Sequence, residues 1–268
     1  MNYQVDIIIV GDSTAGHGLL DKIASNRPKI KLAFISQAFK STTTHDYLNV
    51  EYFRDEVVLV DYKNRLFGCY LKNGNRIYAT HLIIAAGLNY EPLILNNKPA
   101  VGVYNTVDDI PKAAKNLPAV VICNTNAEVK FALDVAKKYK QVYLCTKDIA
   151  IEGLTEANSK KLANTDNLVV LQNTSLFKTT SKDGVLQKVE FNNYASINCS
   201  AIFVKTPAKP AVDFIPANII ERTELGYLVT NTKTESTLVP KCFAVGNCAQ
   251  KYTKAMEQAA VDAILSDF

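Results

Sequence analysis

Apolar positions at the start of the chain follow the order strand, helix, strand. Val5–Val10 is an apolar, largely β-branched run that ends at Gly11; positions 17–25 have helical spacing, and 31–35 form another apolar run. A strand that turns at a glycine into a helix and then returns as a strand is a βαβ unit. The amino-terminal part therefore predicts parallel strands covered by a helix.

Alternating apolar and polar positions follow this unit. They occur in 56–61, 66–71 and 76–80, and the turn sequence Lys-Asn-Gly-Asn at 72–75 separates the last two. This pattern predicts an antiparallel meander. Leu82–Gly87, which is apolar throughout, is then expected to be a buried strand.

The same strand and helix order begins again in the middle of the chain. Ala119–Cys123 predicts a strand, 126–138 a helix and 141–145 the next strand. Prolines before and after this part mark two crossings between modules. The remaining predicted elements are strands at 168–172, 185–191, 199–204 and 242–246, and a helix near 253–265. The repeated βαβ pattern indicates an α/β protein with two nucleotide-type modules.

Composition narrows the function classes. The 268 residues are 48% hydrophobic, and 30 basic against 26 acidic residues give a net charge of +4. Basic residues are scattered along the sequence, so no nucleic-acid partner is expected. The longest apolar runs are far shorter than the roughly 20 residues that span a bilayer, so no membrane association is expected. The first residues lead directly into a strand without a signal-peptide pattern, which predicts a cytoplasmic location.

The residues that usually carry metal or thiol chemistry are dispersed. The six cysteines are far apart in sequence, without the spacing of a redox pair or a zinc ribbon, and reduced buried thiols are expected. His17, His45 and His81 have no metal-ligand spacing and belong to no recognisable triad. The sequence therefore predicts no metal site and identifies no catalytic residue.

The turn after the first strand is a variant of the dinucleotide fingerprint. It reads Gly-Asp-Ser-Thr-Ala-Gly from Gly11 to Gly16, where the first glycine permits a tight turn and the last allows close helix packing. Ser13 adds a Cβ where a pyrophosphate would approach, although its hydroxyl can offer a hydrogen bond. Asp12 would repel a diphosphate unless it points to solvent or caps the helix.

Two longer stretches carry a resemblance to a known family. Val60–Phe67 runs on to Leu82–Gly87, and Gly226–Thr230 runs on to Val239–Cys248. Their order resembles the low-molecular-weight thioredoxin reductases, class II of the pyridine nucleotide-disulfide oxidoreductases, over nearly the whole chain. The resemblance implies two Rossmann-like three-layer ββα domains: a discontinuous FAD-binding domain of 1–95 and 212–268, and an NAD(P)-binding-like domain of 96–211. It also implies a homodimer.

The resemblance implies where FAD would be bound. Asn247 replaces the family's aspartate after Gly246, and Lys254 stands at the position of a glutamine beside the flavin pyrimidine. Lys254, or the amino end of its helix, is expected to face N1 and O2 of the ring; a solvated surface lysine is the alternative. The full set of implied FAD-binding residues is Gly11, Ser13, Thr14, Ala15, Gly16, Ser36, Gln37, Thr43, Val58, Ala86, Gly87, Gly246, Asn247, Lys254 and Ala255.

The second module departs from the family in both of its signatures. Cys-Asn-Thr-Asn-Ala at 123–127 lacks the glycines of an NAD(P)H turn, and Cys-Thr-Lys at 145–147 replaces the family's His-Arg-Arg. The segment 101–118, where the redox Cys-x-x-Cys is expected, contains no cysteine. NAD(P)H use is therefore not expected, and the usual dithiol exchange is excluded unless Cys123 or Cys248 has been recruited.

Three functions remain open. The first is a flavoprotein oxidoreductase that exchanges electrons with a ferredoxin- or flavodoxin-like protein or with a small acceptor. The second is a non-catalytic binding or assembly protein with the same fold. The third is an NAD(P)H-dependent reductase in which Asn124, Asn126 and Lys147 replace the missing contacts.

Overall fold

The structure is a computed structural model that describes residues 1–37, 47–107, 117–231, 237–251 and 254–268. The side chains of 254–257 lie outside the description. No helix among the described residues is long and apolar enough to cross a membrane.

The chain forms two compact units. The first consists of Met1–Asn89 and Ala208–Phe268, and the second of Tyr90–Pro207. In chain order the elements are β1 (Asn2–Gln4), β2 (Ile7–Val10), α1 (Thr14–Asn26), β3 (Leu32–Ser36), β4 (Val50–Arg54), β5 (Val57–Lys63), β6 (Leu66–Leu71), β7 (Arg76–Ala79), β8 (His81–Ile84), β9 (Leu88–Tyr90), β10 (Ile94–Leu95), β11 (Lys98–Pro99), β12 (Val103–Tyr104), β13 (Ala119–Ile122), α2 (Asn126–Ala136), β14 (Val142–Cys145), α3 (Glu156–Ala163), β15 (Leu168–Leu171), β16 (Leu176–Lys182), β17 (Val185–Phe191), β18 (Ile197–Asn198), β19 (Ala201–Phe203), β20 (Ala208–Pro210), β21 (Cys242–Ala244) and α4 (Lys254–Leu265).

The first unit has three layers. Its central sheet has five parallel strands in the order β21-β8-β2-β3-β4. One face packs on α1 and α4 through Leu19, Ile23 and Ile264, and the other packs on the sheet β1-β7-β6-β5 through Val60 and Phe67. Because both faces are covered, the inner strands β2 and β3 are almost continuously apolar rather than alternating, whereas the edge strand β4 carries the exposed Glu51 and Arg54.

The second unit repeats this design. Five parallel strands in the order β12-β19-β13-β14-β15 pack on α2 and α3 on one face. The antiparallel sheet β16-β17-β18 covers the other face, with Val120 and Ile202 of the parallel sheet against Leu186 and Val189. Each unit is thus a ββα sandwich.

A buried histidine ties the carboxyl-terminal residues to the first unit. His81, which is 1% exposed, lies with Nε2 2.9 Å from Oδ2 of Asp267, and its ring stacks against Phe268. Lys241 reaches the same carboxylate at 3.5 Å. Burial lowers the pKa of His81 and outweighs the opposing hydrogen bond to Asp267. Burial thus favours the neutral imidazole, in which Nε2 can carry the hydrogen that faces the carboxylate.

Several predicted elements differ from those observed. The antiparallel meander is present as β5, β6 and β7. The predicted strand 242–246 ends at Ala244, because Gly246–Cys248 form a 3-10 turn. Helix α3 and strand β16 were not predicted at all. The second unit comprises Tyr90–Pro207, whereas the sequence analysis placed the inserted module at 96–211.

Candidate functional site

The turn between β2 and α1 requires its two glycines. Gly11 has φ +109°, and a Cβ there would lie 2.4 Å from the carbonyl oxygen of Ala85. A Cβ on Gly16 would lie 2.4 Å from the carbonyl oxygen of Gly11. Larger residues would push the helix away from the turn, so these positions permit the close strand-to-helix packing of a dinucleotide-binding turn.

The polar side chains of this turn bond to the helix that follows. Ser13 is the N-cap of α1, and its hydroxyl accepts a hydrogen bond from the N–H of Gly16 at 3.1 Å. Asp12 forms an ion pair with Nε2 of His17, and the two side chains are 4% and 9% exposed. The sequence analysis named two ways in which Asp12 could avoid repelling a diphosphate, by pointing to solvent or by capping the helix. The structure adds a third, because the imidazole of His17, one turn into α1, lies against the carboxylate.

Gly246, in the segment Val239–Cys248, lies close to the turn between β2 and α1. It is buried with φ +74°, and a Cβ there would lie 3.2 Å from Cβ of Ala15 and 3.9 Å from Oγ of Ser13. Asn247 follows it with an exposed side chain. Two segments far apart in sequence therefore meet at the amino end of α1.

A cavity of about 520 Å³ opens beside this turn, at the carboxyl ends of β2 and β3. Ligands of parallel α/β sheets bind at this edge, in cavities of roughly 300–1,000 Å³. Five of the implied FAD-binding residues line it: Gly11, Ser36, Gln37, Val58 and Ala86. The other lining residues are Val10, Asp12, Ile35, Asp55, Glu56, Val57, Asn89, Ala211, Asp213 and Phe214.

The remaining implied residues do not line the cavity or lie outside the description. Thr14 is exposed on the first turn of α1, and Gly87, with φ +69°, follows the end of β8. Thr43 is outside the described residues. Lys254 and Ala255 begin α4, but their side chains are not described, so the expected contact with N1 and O2 stays a prediction.

Sequence reasoning missed the acidic character of the cavity. Four lining residues are carboxylates and none of the lining residues is a lysine or an arginine. Asp12 pairs with His17, as described above. The others also have partners: Glu56 pairs with Lys72 at 2.9 Å, Asp213 pairs with Lys209 at 3.1 Å, and Asp55 accepts hydrogen bonds from the backbone N–H groups of Glu56 and Asn73.

In the second unit a carboxylate fills the corresponding turn, between β13 and α2. One oxygen of Glu128 accepts hydrogen bonds from the backbone N–H groups of Asn124 at 2.8 Å and Thr125 at 3.0 Å, and from the Thr125 hydroxyl at 3.2 Å. These amides lie where a dinucleotide-binding turn presents its donors to pyrophosphate. An internal anion thus occupies the anion position of this turn.

The asparagines of this turn hold the following segments in place. The side-chain oxygen of Asn124 accepts a hydrogen bond from the backbone N–H of Lys147 at 2.9 Å. That of Asn126 accepts from the N–H of Thr155 at 3.1 Å and from the amide of Asn158 at 2.8 Å. Both side chains therefore tie 147–158 to the turn.

All six cysteines are buried and free. Burial raises the pKa of Cys123 to about 12, with a smaller contribution from Glu128. Cys248 is fully buried, and its thiol donates towards the carbonyl oxygens of Val245 and Ile84. A thiolate is the attacking form in disulfide exchange, so neither thiol is prepared for it.

Comparison with known families agrees with this architecture. The profile of the family described as pyridine nucleotide-disulphide oxidoreductase matches residues 17–246. The chain belongs to this family. Members of the family generally bind FAD. The match starts directly after Gly16, so the altered turn lies outside it.

Individual relatives are thioredoxin reductases. The thioredoxin reductase of Chlamydia pneumoniae is 24% identical over 210 residues, which are 74% of this chain and 66% of that protein, slightly less than two thirds. The thioredoxin reductase of Streptococcus pyogenes aligns over 100% of both chains with a TM-score of 0.65 and 16% identity. That of T. acidophilum aligns over 98% of both with a TM-score of 0.66 and 16% identity. These likenesses confirm the predicted fold class.

The amides at the start of α1 are free of the helical hydrogen-bond ladder and could bind the pyrophosphate of FAD. The first helical hydrogen bond of α1 runs from the N–H of His17 to the carbonyl of Ser13, so the amides of Thr14 and Ala15 lie ahead of the helical ladder, where a pyrophosphate binds. The carboxylate of Asp12 lies against Nε2 of His17, which keeps it in contact with the imidazole. The backbone of the turn and the cavity therefore fit an adenine dinucleotide, held by amides rather than by cations.

Proposed function

We propose that the protein is a flavoprotein oxidoreductase of the thioredoxin-reductase type that binds FAD in its first unit. Bound FAD would supply reversible one- and two-electron transfer. Electrons would pass to or from a ferredoxin- or flavodoxin-like protein or a small acceptor, without a redox disulfide and without NADPH.

One observation carries the proposal. Gly11, Gly16 and Gly246, which come from both ends of the discontinuous unit, pack together beside a cavity at the carboxyl ends of parallel strands. A Cβ at Gly11 or Gly16 would overlap backbone atoms. Ser36 and Gln37 line the cavity at the end of β3, where the family holds the adenosine ribose, and the backbone of the turn would meet the phosphates.

The second unit supports the part of the proposal that concerns NADPH. The backbone amides of its turn already bind the carboxylate of Glu128, so a pyrophosphate would have to displace it. The carboxylate belongs to the same chain and loses no translational or rotational entropy on binding, whereas a pyrophosphate does. Asn124 and Asn126, which the third hypothesis assigned to cofactor contacts, bond to the chain itself. The buried thiols argue in the same way against dithiol exchange.

The acidic lining of the cavity favours a second candidate. Asp12, Asp55, Glu56 and Asp213 line it without a lysine or arginine, and a diphosphate approaching them would be repelled to the extent that their pairing is incomplete. A non-catalytic binding or assembly protein with this fold is therefore the alternative.

The visible spectrum of the purified protein, repeated after incubation with excess FAD and desalting, separates the two candidates. A retained flavin band and a melting temperature that rises with FAD are the results we expect. A colourless protein whose melting temperature FAD does not change would contradict the proposal and favour the assembly protein.

A pair of neighbouring residues on β5 provides a matched test of the site. Val58 lines the cavity and is 48% exposed, whereas Leu59 is 42% exposed and does not line it. Val58→Trp should weaken FAD binding by about tenfold or more by filling the cavity, and Leu59→Trp should leave it unchanged. Equal effects of the two substitutions would show that FAD, if bound, lies elsewhere.

A further inference from the structure

The fold gathers lysines that are scattered in the sequence. A groove of about 690 Å³ lies between α2 and α3 in the second unit, and Lys130, Lys137, Lys160 and Lys161 line it. Asp134 is the one acidic residue among the lining residues. The scattering of basic residues along the sequence does not reveal this groove, because its two pairs of lysines come from different helical segments.

The charge of this groove is only partly compensated. Lys137 pairs with Asp134 at 2.8 Å, and Lys160 pairs with Glu156 outside the groove at 2.6 Å. Within the described part of the chain, Lys130 and Lys161 have no carboxylate within ion-pair distance. Like charges gathered on one surface repel each other, so an acidic partner would find both complementary charge and relief of that repulsion.

Apolar residues also line the groove. They are Leu133 and Ala136, which we call its apolar floor, and the lysines form its rim. The side-chain amide of Asn167 donates to the carbonyl oxygens of Ala136 at 2.8 Å and Tyr139 at 2.7 Å, which anchors the carboxyl end of α2. An apolar side chain flanked by carboxylates matches this arrangement of floor and rim.

A compact anion fits less well. The lining residues come from Lys130–Lys137, the last turns of α3 and the segment 164–167, so carbonyl groups at helix carboxyl ends disfavour any anion that is seated deep in the groove. Anionic groups of a ligand are therefore expected at the lysine ammonium groups, which an extended segment can reach and a compact phosphate in the groove cannot. The lysine stems carry the ammonium groups away from these carbonyls. The groove also contains no arginine for bidentate phosphate binding.

We propose that the α2/α3 groove is a docking surface for an acidic segment of a partner protein, one that inserts an apolar side chain between flanking carboxylates. The proposal does not depend on FAD binding, because the groove is built entirely from residues of the second unit.

The test measures the anisotropy of a short labelled peptide, with a central leucine flanked by aspartates and glutamates, titrated with the full-length protein. We expect saturable binding that weakens about tenfold or more when the salt is raised from about 0.05 M to 0.5 M. The Lys130→Glu/Lys161→Glu variant should weaken binding by about tenfold or more. The control Lys178→Glu/Lys182→Glu changes the net charge equally at exposed positions on β16 and should change binding by less than about threefold.

Two further probes decide what the groove recognises. A peptide with serine in place of the leucine should bind about threefold or more weakly, because the apolar floor contributes to docking. A single-stranded oligonucleotide of equal charge should bind more weakly than the leucine peptide. The proposal is overturned by absent or non-saturable binding, by equal losses in the two double variants, by equal binding of the serine peptide, or by tighter, groove-dependent binding of the oligonucleotide.

Discussion

Replacing Glu128 tests whether its carboxylate substitutes for a bound phosphate. Glu128→Ala removes an acceptor of three hydrogen bonds, two of them from backbone amides at the start of α2. Hydrogen bonds to a charged group contribute about 1.5–3 kcal/mol, and loss of a helix cap costs about 0.5–2 kcal/mol. Because water can reach this half-buried turn and replace part of the loss, we expect a decrease of about 2 kcal/mol in the free energy of unfolding.

Urea unfolding monitored by far-UV circular dichroism measures this change. Glu156→Ala is a suitable control, because Glu156 also lies in the first turn of a helix of the second unit but its side chain is 82% exposed, and among the described residues its ion-pair partner is Lys160. That substitution should cost less than about 0.5 kcal/mol. Equal costs for the two variants would refute the argument.

The same variant provides a binding test. With the carboxylate absent, the amides of Asn124 and Thr125 lose their internal acceptor, and added pyrophosphate should raise the melting temperature of Glu128→Ala but not that of the unmodified protein. If pyrophosphate stabilises neither protein, the turn is not a latent anion site.

Three further predictions concern packing, thiols and pH. Gly11→Ala should cost more than about 2 kcal/mol in thermal or urea unfolding, whereas Gly74→Ala, which also has a positive φ but open space around it, should cost about 1 kcal/mol; equal costs would contradict the close packing of the first turn. A disulfide reagent at pH 8 should leave Cys123 and the other buried thiols unreacted in the folded protein and modify them only on unfolding. Rapid reaction of the native protein would disprove this prediction. Because burial lowers the pKa of His81 below 6.5, the unfolded chain binds that proton more readily, so the free energy of unfolding should fall as the pH is lowered through 6.5. His81→Asn should flatten the profile between about pH 5 and 7, and an unchanged slope would assign the effect to other groups.

Sequence patterns predicted those parts of the fold that follow from local periodicity. The bounds of β6 and β17 match their predictions, because turn residues flank both strands. Helix α3 was missed, because Leu162 is the buried residue in its eight-residue span and such a helix has no apolar stripe to detect.

The sequence identified those residues of the candidate site that a steric requirement fixes. It did not identify contacts between side chains that carry no sequence signature. Gly11 and Gly16 could be identified because a backbone overlap excludes other residues. The pairing of Asp12 with His17 has no sequence signature. Glu128, in contrast, stands three residues after Thr125, a spacing typical of a capping box, and this signal was available but not used.

The discontinuity of the first unit has a consequence for its synthesis. β21 occupies the edge of the central sheet beside β8, and Gly246 completes the turn at α1, yet both are translated only after the entire second unit. The second unit is continuous in sequence, so it can fold on the ribosome while the first still has an open strand edge at β8 and an uncovered apolar face. A chain that stalls before β21 would therefore carry a finished domain joined to an aggregation-prone half-domain, and the turn at the amino end of α1 would be among the last parts of the molecule to acquire its native packing.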